Sequence, residues 1–581
     1  MFLKSHEMTS SSPATATGLR AQLWLLLRTS WPLLQTWRLG GLLALLGVLS
    51  IASGGFLVWE SIQRGEFISA LAARDAARFQ QALFTFVGIL VASALLLSVV
   101  AFIRDTVGLQ WRQGLTRQFL DNYLHDRAYY RLTLPTAMAA PRLRSIAPID
   151  NPDQRLSEDI RQVTQTLVLV GVMALESAVQ LVGFIGVLWV ISTTLTGFLL
   201  AYAFVGTAIA TLIFGPRLTR INAEQLKREA NFRFGLINVR EHAEAIAFYR
   251  GQPAEAAALN QFFTGVVTNF NRLIRWQLGL DFFQNGYQYL TFILPSLILA
   301  PSILAGQLEV GAIVQSQAAF DRIWLSLSLI VVQFEQLTTL AASIGRLGTL
   351  AQSLQAMQAQ GNGAIVRQSS PTLTVQDLTI ATPDGQRSLC EHLSLTISPG
   401  QSLLVTGPSG VGKSSLMKTL AGLWTTGQGQ LTAPSDTLFV PQQPYLPLGT
   451  LQQQLLYPQE ATAASDESLA QLLEQVGLPQ LAQEPLDTQA DWSQRLSLGE
   501  QQRLSFARVL LQRPPYVILD EATSAVTLEQ EHALYQHLVA AGITAVSVGH
   551  RESLRPYHAQ LLTRRPDRTW TLQAQLGGTD V

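Results

Sequence analysis

The stretch Ser402-Leu-Leu-Val-Thr406-Gly407-Pro-Ser-Gly-Val-Gly412-Lys413-Ser414-Ser415 decides how the last third of this chain folds. Ser402–Thr406 has a buried-strand pattern and runs directly into G-x-x-x-x-G-K-[ST], with a helical pattern after it. The glycines let consecutive backbone N–H groups turn inward around phosphates, and the following helix adds its positive dipole end. Lys413 would neutralise the β- and γ-phosphates of a nucleoside triphosphate, and Ser414 would ligate Mg²⁺. The candidate phosphate-binding residues are Gly407, Pro408, Ser409, Gly410, Val411, Gly412, Lys413, Ser414 and Ser415. Lysine is rare here: Lys4, Lys227, Lys413 and Lys418 are the only four, so a chance match is a poor explanation.

Working outward, Tyr516-Val-Ile-Leu-Asp520-Glu521 is a second buried-strand pattern, ending in two acids. Asp520, at the strand's C-terminal end, is placed to hold Mg²⁺, and Glu521 to polarise an attacking water. Short apolar runs at 373–378, 393–397, 402–406, 438–440, 516–519 and 545–548 alternate with helical patterns. That alternation predicts an α/β domain with a largely parallel sheet.

The rest of the chain is written for a different solvent. Of 581 residues, 48% are hydrophobic and only 14% charged, against about 25% charged in an average soluble protein. The runs 42–59, 82–103, 167–191, 197–214 and 290–304 are long and almost uncharged, and about 20 apolar residues span a bilayer. A sixth run, 313–334, is interrupted by Asp321 and Arg322. These two charges would either face a solute path or pair with another helix. Arg20, Arg28 and Arg38 precede the first run, and 104–161 and 216–276 are arginine-rich. The positive-inside rule then predicts six crossings with both termini cytoplasmic. The segment 59–81, with Arg64, Arg74 and Arg78 against Glu60, Glu66 and Asp75, fits that rule less well. Residues 1–17 are polar, lack an apolar signal core and read as a disordered tail. Forty basic residues balance forty acidic ones, which gives no sign of a nucleic-acid partner. The single cysteine, Cys390, excludes an intrachain disulfide and reads as a small buried hydrophobe.

Leu496-Ser497-Leu498-Gly499-Glu500-Gln501-Gln502-Arg503 resembles the signature sequence of ATP-binding-cassette (ABC) proteins, with Leu498 where many members have glycine. Gln442 resembles the Q-loop glutamine and His550 the switch histidine. The five motifs follow the family order. Asn151–Ile160, Glu229–Arg233 and Arg240–Gly251 are similar to motifs of peroxisomal acyl-CoA half-transporters (subfamily D) and of bacterial relatives that import peptides or cobalamin. The resemblance covers nearly the whole chain beyond its N-terminal tail. It implies an α-helical membrane domain of six transmembrane helices, exporter-type, followed by an α/β P-loop ATP-binding cassette domain. The expected divisions are a tail (1–20), a transmembrane domain (21–347), a linker (348–368) and a cassette (369–581).

What the resemblance implies for function is an ATP-driven transporter that moves a bulky or amphipathic solute: a peptide, an acyl-CoA-like lipid or a cobalamin-like molecule. The alternative is a membrane-anchored ABC ATPase that regulates a partner or gates a channel. ATP and Mg²⁺ are the implied cofactors, and the membrane, the solute and a second copy of the chain the implied partners. The implied location is a bacterial inner membrane. By resemblance Glu521, Gln442 and His550 are catalytic, with Gln442 also beside Mg²⁺, and Ser497, Gly499 and Gln501 contact the ATP of the other subunit. Arg155, Glu158, Glu241 and Arg250 would carry coupling to the cassette, or else pair ions on solvated helices. Two departures stand out. Ala381-Thr382-Pro383-Asp384-Gly385 lacks the adenine-stacking aromatic, and Thr527 replaces the aspartate of Ser-Ala-Leu-Asp.

Overall fold

The computed structural model describes residues 18–133, 149, 151–327, 329, 333–358, 365–382, 386–408, 411–424, 426–459, 464–564 and 570–574. They form two compact units that divide at Leu354/Gln355. The tail residues 1–17 lie outside the described residues.

The first unit is helical. Five helical segments are long and apolar enough to cross a membrane: Trp37–Ala72, Ala76–Thr133, Pro152–Ile191, Thr193–Glu241 and Gln252–Leu304. They hold the five uncharged runs, but each continues well past 20 residues into polar sequence. The sixth run appears as helix Gly311–Leu327, 17 residues long; part of its remainder lies outside the described residues. Its Asp321 takes a hydrogen bond from Thr291 Oγ1 of helix Gln252–Leu304 at 3.5 Å, so one of the two charges that interrupt the sixth run has a neighbouring helix as partner. Two spans meet at small residues: a Cβ built on Gly54 would stand 2.8 Å from Val179, and one on Gly183 2.6 Å from Val58.

The segment 59–81, expected as a loop, is almost entirely helix, broken only at residues 73–75, where Asp75 caps the next helix through Ala77 N and Arg78 N. Its charges are paired. Arg78 donates to Glu66 at 2.6 and 2.9 Å and to Glu309 at 3.0 and 2.9 Å. An arginine held by two carboxylates adds no net positive charge to that end of the bundle.

Helix Phe334–Gln358 also runs into the expected linker. Leu347, Leu350, Ala351, Leu354 and Met357 are all buried, and that helical spacing keeps the segment from behaving as a tether.

The second unit is α/β. A four-stranded sheet has the order β1(Ile365–Ser369), β5(Gly427–Ala433), β2(Leu373–Ala381), β3(Ser388–Ile397). A six-stranded sheet has the order β12(Trp570–Ala574), β11(Gln560–Arg564), β4(Leu403–Thr406), β10(Thr544–Val548), β9(Tyr516–Asp520), β6(Leu438–Val440). A two-stranded pair, β7(Gly449–Thr450) and β8(Gln489–Ala490), completes the set. In the six-stranded sheet every neighbouring pair except β11–β12 is parallel. The central strands β4, β10 and β9 are almost fully buried, as parallel strands covered on both faces must be. Cys390 lies in this core, and burial pushes its thiol up to about 12.

Candidate functional site

Parallel pairing gathers the chemistry. Val548 pairs with both Val405 and Asp520, and Val440 with Leu519. The C-terminal ends of β4, β10, β9 and β6 therefore lie side by side on one edge. The residues that follow them are Gly407, Gly549-His550, Glu521 and Pro441-Gln442. Four segments up to 140 residues apart converge because parallel strands all open their loops at the same edge, where α/β folds bind ligands.

Gly412, at φ +100°, caps helix Lys413–Leu420, a conformation that an L side chain rarely adopts. A Cβ there would also stand 3.3 Å from Leu389. Lys413 is buried at the head of that helix. Its Nζ donates to Gly407 O at 2.7 Å and Pro408 O at 2.9 Å, and lies 3.1 Å from His550 Nε2. An ammonium only donates, so His550 Nε2 accepts here and the ring carries its proton on Nδ1. Burial pulls the Lys413 ammonium below its usual range, against the opposing fields of Glu521 and Asp520. Ser409 and Gly410 lie outside the described residues.

Burial, and next the neighbouring Glu521 charge, lift the Asp520 carboxyl above the usual range, while Lys418 and Lys413 oppose this. A carboxylate in that setting favours a cation beside it. No cluster of three His, Cys, Asp or Glu occurs among the described residues, so protein carboxylates alone do not form a cage. The donor set fits Mg²⁺, which is held by one or two carboxylates plus substrate phosphates: Asp520, the Ser414 hydroxyl and the Gln442 amide oxygen could be the protein's share.

Glu521 sits at φ +48° and anchors its N–H on Val548 O at 3.2 Å. Gln442 Nε2 donates to Glu521 Oε2 at 3.0 Å, and His550 Nε2 is 3.6 Å from Oε1. Gln442 is thus hydrogen-bonded to Glu521 and Lys413 to His550, with the His550 ring 3.6 Å from the Glu521 carboxylate, an arrangement open to a base, two orienting groups and a phosphate ligand.

The signature segment folds as a helix cap. Ser497 Oγ accepts from Glu500 N while Glu500 reaches back to Ser497 N at 2.9 Å, which closes a capping box on helix Leu498–Gln512. The Ser497 hydroxyl, which donates to Glu500 Oε2 at 2.7 Å, and next the Ser497 N–H hold the Glu500 carboxyl below its usual range. A Cβ on Gly499 would come within 2.7 Å of Ala525 O, so only glycine fits. Gln501 turns inward, with Nε2 on Ser493 O and Leu496 O at 2.9 and 2.8 Å. Its side chain shapes its own loop rather than presenting a free amide. Thr527 caps helix Leu528–Ala540 through Gln530 N, the geometric task an aspartate would do, without the charge.

Several residues escaped the reading of motifs. Gln502, fully buried, donates to Gln442 O (3.0 Å) and Ser524 Oγ (3.1 Å) and accepts from Ala525 N (2.9 Å). It ties the loops after β6 and β9 to the signature helix. Arg551 donates to Val526 O, Ser524 O and buried Glu531. In the first unit Arg155 is buried and donates to Arg346 O and Thr349 Oγ1 at 2.8 and 2.7 Å. One turn on, Asp159, 1% exposed, takes Arg346 Nε at 2.8 Å and Ser343 Oγ at 2.8 Å. Glu158 instead faces solvent beside Arg161, and Glu241 and Arg250 are exposed. Glu176, inside an apolar run, is held by Ser53 Oγ at 2.8 Å.

Comparisons with known proteins agree with this geometry. Residues 33–304 match the family model described as ABC transporter transmembrane region 2, and residues 390–524 the one described as ABC transporter. An uncharacterized ABC transporter ATP-binding protein of Synechocystis is 41% identical over 92% of this chain and 81% of its own length. A chloroplastic ABC transporter D family member of Arabidopsis thaliana is 33% identical over 91% and 85%. A lysosomal cobalamin transporter of Homo sapiens is 32% identical over 87% and 88%.

Proposed function

We propose a transport cycle for this chain, which belongs to the ABC transporter family and is an integral membrane protein that couples ATP hydrolysis to transport. Two copies work together. The signature segment around Ser497 and Gly499 completes the ATP site of the other subunit, so a chain with one cassette pairs to build two sites, most simply with C₂ symmetry. Six helices per copy cross a bacterial plasma membrane, and the arginine-rich ends with both termini face the cytoplasm.

The observation that carries the chemistry is the gathering of Gln442, Glu521, His550 and Lys413 at one sheet edge, Gln442 bonded to Glu521 and Lys413 to His550. Lys413 and the P-loop amides bind the phosphates. Asp520, Ser414 and Gln442 would hold Mg²⁺, which when bound would neutralise phosphate charge. Glu521 accepts the proton of the attacking water while Gln442 fixes its carboxylate. The γ-phosphate offers Lys413 Nζ stronger acceptors than His550 Nε2, so ATP binding releases the imidazole to report on the nucleotide. Arg155 and Asp159 grip helix Phe334–Gln358, which continues in sequence toward β1, and this grip is the path by which ATP-driven closure reaches the spans.

The solute is bulky or amphipathic, a peptide, an acyl-CoA-like lipid or a cobalamin-like molecule; the human relative's name favours testing cobalamin first. The test uses protein reconstituted in nanodiscs, with ATPase rates measured against oligopeptides, a long-chain acyl-CoA and cobalamin. One class should stimulate hydrolysis, and the active species should have the mass of a dimer. Full ATP turnover by a monomer would overturn this reading.

A further inference from the structure

Helix Leu19–Leu34 lies along the first unit with Gln22, Leu26 and Ser30 buried and Trp24 and Trp31 exposed. Beneath it is a cavity of about 380 Å³, within the range of small-molecule sites. Leu23 and Leu27 form its lid, with Leu46 and Gly47 from helix Trp37–Ala72, Trp111 from Ala76–Leu124, and Val172 from Ile160–Ile191 also lining it. The lining is apolar apart from two groups. Ser50 (0% exposed) and Trp111 (6% exposed) both line it, and neither Ser50 Oγ nor Trp111 Nε1 has a hydrogen-bond partner among the described residues. A buried N–H and hydroxyl without partners are costly, and both residues line this one cavity.

The position identifies the occupant. The lining residues belong to the first apolar turns of two spans and, from a third helix, Trp111, two turns past the end of the run 82–103; Arg20, Arg28, Arg38 and Arg112 lie in the sequence flanking these turns. Arg28 lies over exposed Trp24 and Arg38 over exposed Trp37, each 5.4 Å from the ring centroid. Tryptophan with arginine marks the headgroup level of a bilayer. The cavity is therefore at the depth of a lipid's ester groups and first methylenes. We propose that it holds one acyl chain of an anionic membrane phospholipid. The ester carbonyl accepts from Trp111 Nε1 and Ser50 Oγ, and the phosphate lies among the arginines. The lipid stays with the protein as a resident, wedging helix Leu19–Leu34 against the first three spans.

The test exploits two glycines. Side chains built at Gly47 and Gly171, both lining the cavity, meet no atom within 4 Å, so phenylalanine at either would occupy the acyl-chain space. Gly186, equally open but outside the lining, is the control. The full chain is reconstituted with a phosphatidylglycerol carrying a diazirine in one acyl chain, irradiated and digested. Adducts should concentrate on peptides containing Leu43–Ser50 and Leu167–Leu175. They should fall by about tenfold in Gly47→Phe and in Gly171→Phe, remain in Gly186→Phe, and fall several-fold in Trp111→Phe, which keeps a ring but loses the donor. The two filling variants lie on different helices, so either one decides if the other does not fold. Labelling that is uniform along all the spans, or unchanged by the filling variants, would overturn the proposal. Stronger labelling by a diazirine fatty acid at equal mole fraction would also overturn it by assigning the site to free acid.

Discussion

Gln442 Nε2 donates to Glu521 Oε2 at 3.0 Å, and the residue that holds Gln442 in place is Gln502, on its carbonyl. Glu521, the proposed base, is thus positioned by a loop that is itself pinned to the signature helix. Gln442→Ala removes the orienting donor and leaves the phosphate-binding loop untouched. Turnover should fall by as much as about 10²-fold, the scale of a misplaced catalytic group, with a much smaller loss of ATP affinity. Single-turnover hydrolysis beside equilibrium nucleotide binding separates the two effects.

Thr382 engages Arg387 O through both its N–H (2.7 Å) and its hydroxyl (3.1 Å), and has no ring for adenine to stack on. Base stacking, worth about 1–3 kcal/mol on aromatic platforms, should contribute little here. GTP should compete with ATP within about tenfold in displacement binding. A hundredfold preference for ATP would mean that another aromatic supplies the platform.

Asp159 is buried and Arg346 is its principal cation. Arg346→Ala should destabilise the membrane unit by about 1–3 kcal/mol, since it strips charged hydrogen bonds from a buried carboxylate. If this pair transmits closure, the variant should retain basal ATPase but lose stimulation by the solute. Arg346→Lys should restore part of it. The double variant with Asp159→Asn should be less harmed than the sum of the singles.

His558 is buried between Leu554 O and Ser547 Oγ, and burial pulls its imidazole down to about 4. Between about pH 4 and 6.5 only the unfolded chain binds this proton, so stability rises with pH there. The contribution is complete above pH 6.5 and is lost as pH falls toward 4, up to about 3 kcal/mol. His558→Gln should flatten the acid limb of the cassette's melting temperature between pH 5 and 7, measured on the full chain by calorimetry.

Local signals were the legible ones. The P-loop, the acidic strand, the Q-loop and the switch histidine could be read in sequence because each is a short segment at a strand end, and parallel pairing brings such ends together. Partners far apart in sequence were opaque: nothing in Asp159 pointed to Arg346, 187 residues away. Glu176 passed unnoticed because a window average hides one acid among apolar residues. Gln502 was hidden inside a motif read for its neighbours. The arginines at 59–81 became intelligible only once Arg78 was seen clasped by Glu66 and Glu309.

The account turns on Glu521 as the base. The decisive measurement is phosphate release by wild type, Glu521→Gln and Lys413→Ala in nanodiscs, beside ATP binding for each. Glu521→Gln should bind ATP as wild type does and hydrolyse it about 10²–10⁴-fold more slowly, the usual loss for a general base, whereas Lys413→Ala should lose affinity as well as turnover. Hydrolysis by Glu521→Gln at the wild-type rate would contradict the assignment.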